Sequence, residues 1–160
     1  MDAPAKIGII TKPREPRASQ LAAEIAAWAA DHEINLFVND RVKDLPPGQK
    51  GVHIHEVGKC EGPQFTSAGG HFNPDKKQHG TLNPQGAHAG DLPNISVDGY
   101  GVGQLETTTN RITLGAGPTS VFDADGSAIV IHAAADDFKT DPTGNSGGRS
   151  VCGVIVKKGS

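Results

Sequence analysis

The chain has 160 residues, enough for one domain with a hydrophobic core. With 21 Gly, 11 Pro, 36% apolar and only 4% aromatic residues, its composition excludes a helical bundle and suits many short strands joined by ordered loops. The formal net charge of -3 gives no reason to expect nucleic acid or an anionic membrane as a partner, and no apolar run approaches the roughly 18 residues of a transmembrane helix.

The opening, MDAPAKIGIITKPREPRAS, has no basic stretch followed by an apolar one and does not read as a secretory signal. Residues 6–11 form an apolar strand candidate. Pro16 sits where a first helical turn tolerates proline, and an Ala-rich helix is expected over 17–31, with Leu21, Ile25 and Trp28 on one stripe. His32, near the end of that helix, stands where a cationic side chain is ordinary, and it is given no metal role. From Ile34 the period changes to two. Ile34, Leu36, Val38 and Val42 outline an imperfect amphipathic strand that Leu45-Pro46-Pro47-Gly48 ends. A strand over 52–57 follows. Residues 58–94 have almost no periodicity and are rich in Gly, Pro, Asn and His; a loop this long in a compact domain needs something functional to order it. Further strands are expected over 95–97, 103–108, 111–114, 128–132 and 150–156, with a second irregular segment over 133–149.

The histidines carry the chemistry. His53 and His55 form an H-x-H pair; in a strand, residues two apart project to the same face, so both imidazoles can meet one ion. Alone, such a pair is weak evidence. His71, His79, His88 and Asp91 put three imidazoles and a carboxylate into one loop, a donor set that suits tetrahedral zinc. Coordination would supply the order that the loop's own composition does not. The bland reading is a polar loop with scattered histidines. His132 ends the apolar run Ala128-Ile129-Val130-Ile131, where a satisfied strand-end histidine is the ordinary reading. Cys60 and Cys152 are either two separate thiols or a bridge; a bridge would close a loop of about 90 residues and stabilise by roughly 4 kcal/mol in the chain-entropy account.

Taken together, several ordered motifs carry a resemblance. They are Gly51-Val52-His53-Ile54-His55-Glu56, Gly70-His71-Phe72-Asn73-Pro74, His79-Gly80, His88-Ala89-Gly90-Asp91-Leu92-Pro93-Asn94, Ile131-His132-Ala133, Asp136-Asp137 and the stretch from Gly144 to Ile155. Over roughly residues 34–157 the chain resembles the bacterial-type Cu,Zn superoxide dismutases. The resemblance implies a mainly β fold, a Greek-key β-sandwich or barrel with long metal-binding loops. It implies copper at His53, His55, His71 and His132, and zinc at His71, His79, His88 and Asp91, with His71 bridging the two ions. It further implies Asp136 as the carboxylate linking a copper-side to a zinc-side imidazole, a Cys60–Cys152 disulfide, and Arg149 beside the copper, where the superoxide anion docks. His71 and Arg149 are then the catalytic residues. In the family's mechanism copper cycles between Cu(II) and Cu(I), and His71 leaves the reduced ion and takes up a proton for the peroxide product. Lys139 reads either as part of a local positive field with Arg149 or as an exposed loop lysine; Asp137 and Asp141 read as solvated. The disulfide implies an oxidising, extracytoplasmic setting, which the missing signal opposes. Family members form homodimers through different surfaces or remain monomers, so a homodimer is open here.

The family's first hairpin has no counterpart in this sequence. Residues 1–33 resemble, more weakly, the opening strand and helix of an NAD kinase, without that family's nucleotide-site signatures. The expected organisation is therefore an N-terminal strand–helix segment, 1–33, packed on a dismutase-like domain, 34–160, as in a hybrid chain whose barrel edges Ile7, Ile9, Leu21, Ile25 and Trp28 would cover. Three functions compete: an active dismutase, a non-catalytic copper- and zinc-binding protein of the same fold, and a zinc-only scaffold with an incomplete barrel.

Overall fold

A computed structural model describes residues 5–10, 34–36 and 45–157. Eight strands are present among them: β1 (Ala5–Ile10), β2 (Ile34–Leu36), β3 (Gly48–Lys50), β4 (Val52–His55), β5 (Ile95–Val97), β6 (Gly103–Thr109), β7 (Ser127–His132) and β8 (Arg149–Lys157). They form two four-stranded sheets, in the orders β1-β6-β5-β3 and β2-β8-β7-β4. All the pairings are antiparallel. No helix among the described residues is long and apolar enough to cross a membrane.

Alternation assigns the faces. In β4, Val52 and Ile54 enter the main core with Ile95, Val97, Ile129, Ile131, Val151 and Ile155. His53 and His55 therefore share the opposite face. The β4–β7 register sets His53 against Val130 and His55 against Ala128, which brings His132 onto that same face. Every residue of β4 and β7 is buried, so this outer face is covered as fully as the inner one. Part of the cover is a second small core of Phe65, Ala68, Ala128, Val130 and Cys152.

One irregularity matters to the site. The β7–β8 register slips between Ile131 and His132, so that Ile131 pairs with Val151 but His132 pairs with Arg149. A bulge of this kind re-aims a side chain at the end of a ladder. Here it sets Arg149 directly across from His132.

Several expectations are adjusted. The strand expected over 111–114 is absent; Thr113 makes one isolated bridge to Ser120 instead, within a segment of bends that includes Gly117 at φ +137. The short strand Gly48–Lys50 lies immediately after Pro46-Pro47, where an end was expected; proline forbids the ladder at its own position but not at the next residues. The strand expected at 6–11 forms over Ala5–Ile10 and pairs with β6 along its whole length. The helix expected over 17–31, with Leu21, Ile25 and Trp28, the continuation of the strand to Val42, and the side chains of Ile7 and Ile9 all lie outside what is described.

Candidate metal centre

β4 is the last strand of its sheet, and its free edge is taken up by the long loop. Ile54 N–H donates to Gly90 O at 2.9 Å, and Phe72 N–H donates to Ile54 O at 2.8 Å. Glu56 N–H donates to Gly70 O at 3.0 Å. These contacts create two isolated bridges, His55 with His71 and His53 with Asp91. The edge that would otherwise invite aggregation thus sets two loop residues beside the H-x-H pair. Gly90 comes so close to Ile54 O that a Cβ there would overlap it.

The result is two adjoining pockets that share one ring. On one side, His71 Nδ1 lies 3.2 Å from Asp91 Oδ1 and 3.3 Å from His88 Nδ1. His79 Nδ1 and His88 Nδ1 lie 3.0 and 3.3 Å from the same Asp91 oxygen. A tetrahedral ion with bonds of about 2.0 Å has ligand–ligand edges of roughly 3.3 Å, and four of the six edges of such a polyhedron are present here. A looser grouping of donor atoms within 4.8 Å takes His53 rather than His88 with His71, His79 and Asp91. We prefer His88, because His88 Nδ1 lies 3.3 Å from both His71 Nδ1 and Asp91 Oδ1, while His53 also groups with His55, His71 and His132.

On the other side, one nitrogen from each of His53, His55, His71 and His132 lies within 4.8 Å of the others. His55 Nδ1 and His132 Nδ1 donate to the carbonyls of Gly69 and Gly147, at 3.0 and 3.1 Å. Their Nε2 atoms are left facing each other at 3.4 Å. His53 Nδ1 and His71 Nε2 are buried with no hydrogen-bond partner. An unsatisfied buried polar atom costs about 1–3 kcal/mol, so two of them aimed into one imidazole-lined cavity fit a cation that is part of the native state. An all-imidazole set suits copper. Both donor sets fit their ions.

The electrostatics of the copper-type set agree. Burial lowers His55 to about 2 and His132 to about 3, and it lowers His71 to about 4 against the pull of its Asp91 hydrogen bond. These rings are neutral, the form a metal needs. Burial works against Asp91 and Asp136 as anions, yet hydrogen bonds outweigh it. His71, His79 and His88 hold Asp91 well below the usual carboxylate range, and His53 and His79 do the same for Asp136. His79 is pushed up to about 9, because its bonds to Asp136 and Asp91 overcome its burial.

Asp136 ties the two pockets together. Its Oδ2 lies 2.8 Å from His53 Nε2 and its Oδ1 lies 3.0 Å from His79 Nε2. Its backbone is locked by a reciprocal pair with Asn94: Asp136 N–H donates to Asn94 Oδ1 at 2.9 Å, and Asn94 Nδ2 donates to Asp136 O at 3.0 Å. Gly144, at φ +63, passes so near that any Cβ would overlap Asp136 Oδ1. Arg149, half-buried, donates to Phe65 O at 2.6 Å and to Gly69 O at 2.5 Å. Gly69 O is therefore shared by Arg149 and His55. Cys60 and Cys152 form a disulfide, tying the loop to β8.

The nine polar residues singled out by the sequence thus converge, from His53 to Arg149. Three groups were missed. Asp141, read as solvated, accepts the His79 backbone N–H at 2.6 Å. Asp137 organises its own loop by accepting from Lys139 N–H, Thr140 and Asn145. Arg111 donates to the Asp91 carbonyl. The contacts to Asp141 and Arg111 join segments far apart in the chain and have no local signal, whereas those of Asp137 lie within its own loop; Asp137 and Asp141 are both exposed, as the sequence reading had them. Lys139 is exposed.

Comparisons with known proteins place this geometry in context. Residues 25–155 match the family model described as Copper/zinc superoxide dismutase (SODC). The chain is 51% identical over 122 residues to Cu-Zn superoxide dismutase 1 of Aquifex aeolicus (strain VF5), covering 75% of this chain and 72% of that one. A crystal structure of a SOD-like protein from Bacillus subtilis superposes with a TM-score of 0.69 at 36% identity, covering 93% of this chain and 97% of that one. A double mutant of a SOD-like protein from the same organism, in which a Tyr and a Pro are each replaced by His, gives a TM-score of 0.68 at 48% identity, covering 71% and 76%. The NAD kinase resemblance and the hybrid reading of residues 1–33 are not borne out. The family match begins inside that stretch, at residue 25, and an apolar strand before an Ala-rich helix is too general a pattern to identify a family.

Proposed function

The chain belongs to the copper/zinc superoxide dismutase family, and from that premise we propose that it converts two superoxide ions and two protons into dioxygen and hydrogen peroxide. The observation that carries the proposal is the position of His71, one ring with a nitrogen in each of two adjoining pockets. His53, His55, His71 and His132 would hold copper, and His71, His79, His88 and Asp91 would hold zinc. Copper, when bound, would supply the one-electron exchanges with successive superoxide ions, and zinc would supply a fixed positive charge beside them.

The chain's own residues do the rest. Asp136 fixes the orientation of His53 and His79 together, as a carboxylate behind a ligating imidazole does. Arg149, braced on two carbonyls, one of them shared with His55, pairs across the ladder with His132, and its positive charge favours an anion there. His71 Nε2, buried and otherwise unpartnered, is the atom at which a proton for peroxide is held. The same proposal includes the division into an N-terminal segment, 1–33, and a domain, 34–160; the pairing of β1 with β6 supports packing of the former on the latter. It also includes a homodimer, supported only by the habit of the family and tested by sedimentation.

Metal analysis and a superoxide assay on one sample test the reading. Copper and zinc near one each, with cyanide-sensitive turnover lost in His132→Ala and sharply reduced in Arg149→Gln, is the expected result. Copper without turnover favours the second reading, a non-catalytic copper- and zinc-binding protein of the same fold. Zinc without copper favours the scaffold. Unchanged turnover in His132→Ala overturns the ligand assignment.

A further inference from the structure

Imidazole nitrogens that face away from the two pockets are held in a consistent way. His53 and His79 reach Asp136, and His55 and His132 reach backbone carbonyls. For His88 the group in the equivalent place is Asp141, whose Oδ1 lies 3.8 Å from His88 Nε2, within ion-pair reach. The same oxygen accepts the backbone N–H of His79 at 2.6 Å. One carboxylate from the second irregular segment therefore bonds the backbone of one member of the zinc-type set and stands within ion-pair distance of the ring of another.

We propose that Asp141 is a positioning residue for the zinc-type pocket, a counterpart to Asp136 on the pocket's other flank. This inference rests on the proposed reading of that pocket as a zinc site. Asp136 faces the ring of His79 from one side, and Asp141 fixes the backbone of the same residue from the other. His79 is thus held at both ends. The Asp141 carboxylate, half-exposed, stands within ion-pair distance of the outer nitrogen of His88, where a carboxylate can orient a ligating imidazole. Asp141 also connects the two long segments. Leu82 N–H donates to Phe138 O at 3.0 Å, and Asn83 Nδ2 donates to Lys139 O at 3.4 Å. Within this seam Asp141 is the member whose carboxylate reaches two of the proposed zinc ligands.

Two variants separate charge from tethering. Asp141→Asn keeps an oxygen for the His79 N–H but removes the charge facing His88; Asp141→Ala removes both. Zinc affinity would be measured by competition with a chromophoric chelator, and Co(II) absorption would report the geometry of the same pocket. Copper affinity at saturating zinc serves as the internal control. The expected result is a fall in zinc affinity of about tenfold in Asp141→Asn and toward a hundredfold in Asp141→Ala, with an altered Co(II) band and copper affinity within about twofold of the parent. Zinc affinity in Asp141→Asn equal to the parent's overturns the inference, because the neutral side chain preserves the tether; it does so even if Asp141→Ala does not fold. Failure of the parent protein to take up zinc or Co(II) at all overturns the reading of the pocket itself, a different outcome from parent uptake that ignores residue 141.

Discussion

The two pockets are built by different means, although they share a ring. His53, His55 and His132 stand on β4 and β7, where ladder hydrogen bonds and a buried apolar face fix their positions. His79, His88 and Asp91 stand on a loop with no ladder of its own, where side chains hold backbone. Asp91 Oδ2 accepts from Gly80 N–H at 2.9 Å and from His88 N–H at 3.0 Å, and Asp141 accepts from His79. The copper-type pocket is thus a product of the fold, and the zinc-type pocket is part of what makes its loop fold. A sheet can hold ligands in readiness; a loop rich in Gly and Pro needs the ligand to complete it.

Four substitutions probe whether the pockets differ in this way, the costliest first. Asp91→Ala removes a ligand and two backbone anchors, so zinc uptake should fall more than a hundredfold. Stability of the zinc-loaded protein should drop by on the order of 5 kcal/mol, with residues 58–94 becoming open to limited proteolysis. A loop that stays protected would mean that backbone contacts alone order it. Cys60→Ser opens a bridge spanning 92 residues and should cost about 4 kcal/mol in denaturant unfolding. Gly144→Ala puts a Cβ onto Asp136 Oδ1 at a left-handed backbone position and should cost about 2–3 kcal/mol, while lowering affinity for both metals. A metal-binding profile that remained wild-type would show that Asp136 can move without consequence. His55→Ala should cost only about 1–2 kcal/mol and leave the zinc-ordered loop protected, while copper uptake and dismutation are lost. Exposure of the loop to protease in that variant would erase the distinction between the two regions.

The strand bearing His53 and His55 was legible because the same-face rule for residues two apart needs no knowledge of distant residues, and the strand ending at His132 was legible as a short apolar run. The ligand set in 58–94 was legible as chemistry and by resemblance, but not as geometry. Nothing local indicates that residues 70–72 and 90–92 dock on the free edge of β4. The mistaken strand at 111–114 shows the limit of a short apolar pair, Ile112 and Leu114, whose segment runs into bends that include Gly117 at φ +137. Asp136 and Asp141 lie close together in one polar segment; resemblance marked Asp136, whereas only the fold brings the exposed Asp141 to the His79 N–H. The bulge that turns Arg149 toward His132 has no signature in the sequence at all.

Asp136 spends one oxygen on each pocket. A carboxylate divided in this way is a thermodynamic coupling between two equilibria. Whatever factor by which an ion in one pocket improves the other pocket's affinity, the second ion must return the same factor to the first. Loading order is then a matter of supply, and the fully loaded state is the same whichever ion arrives first.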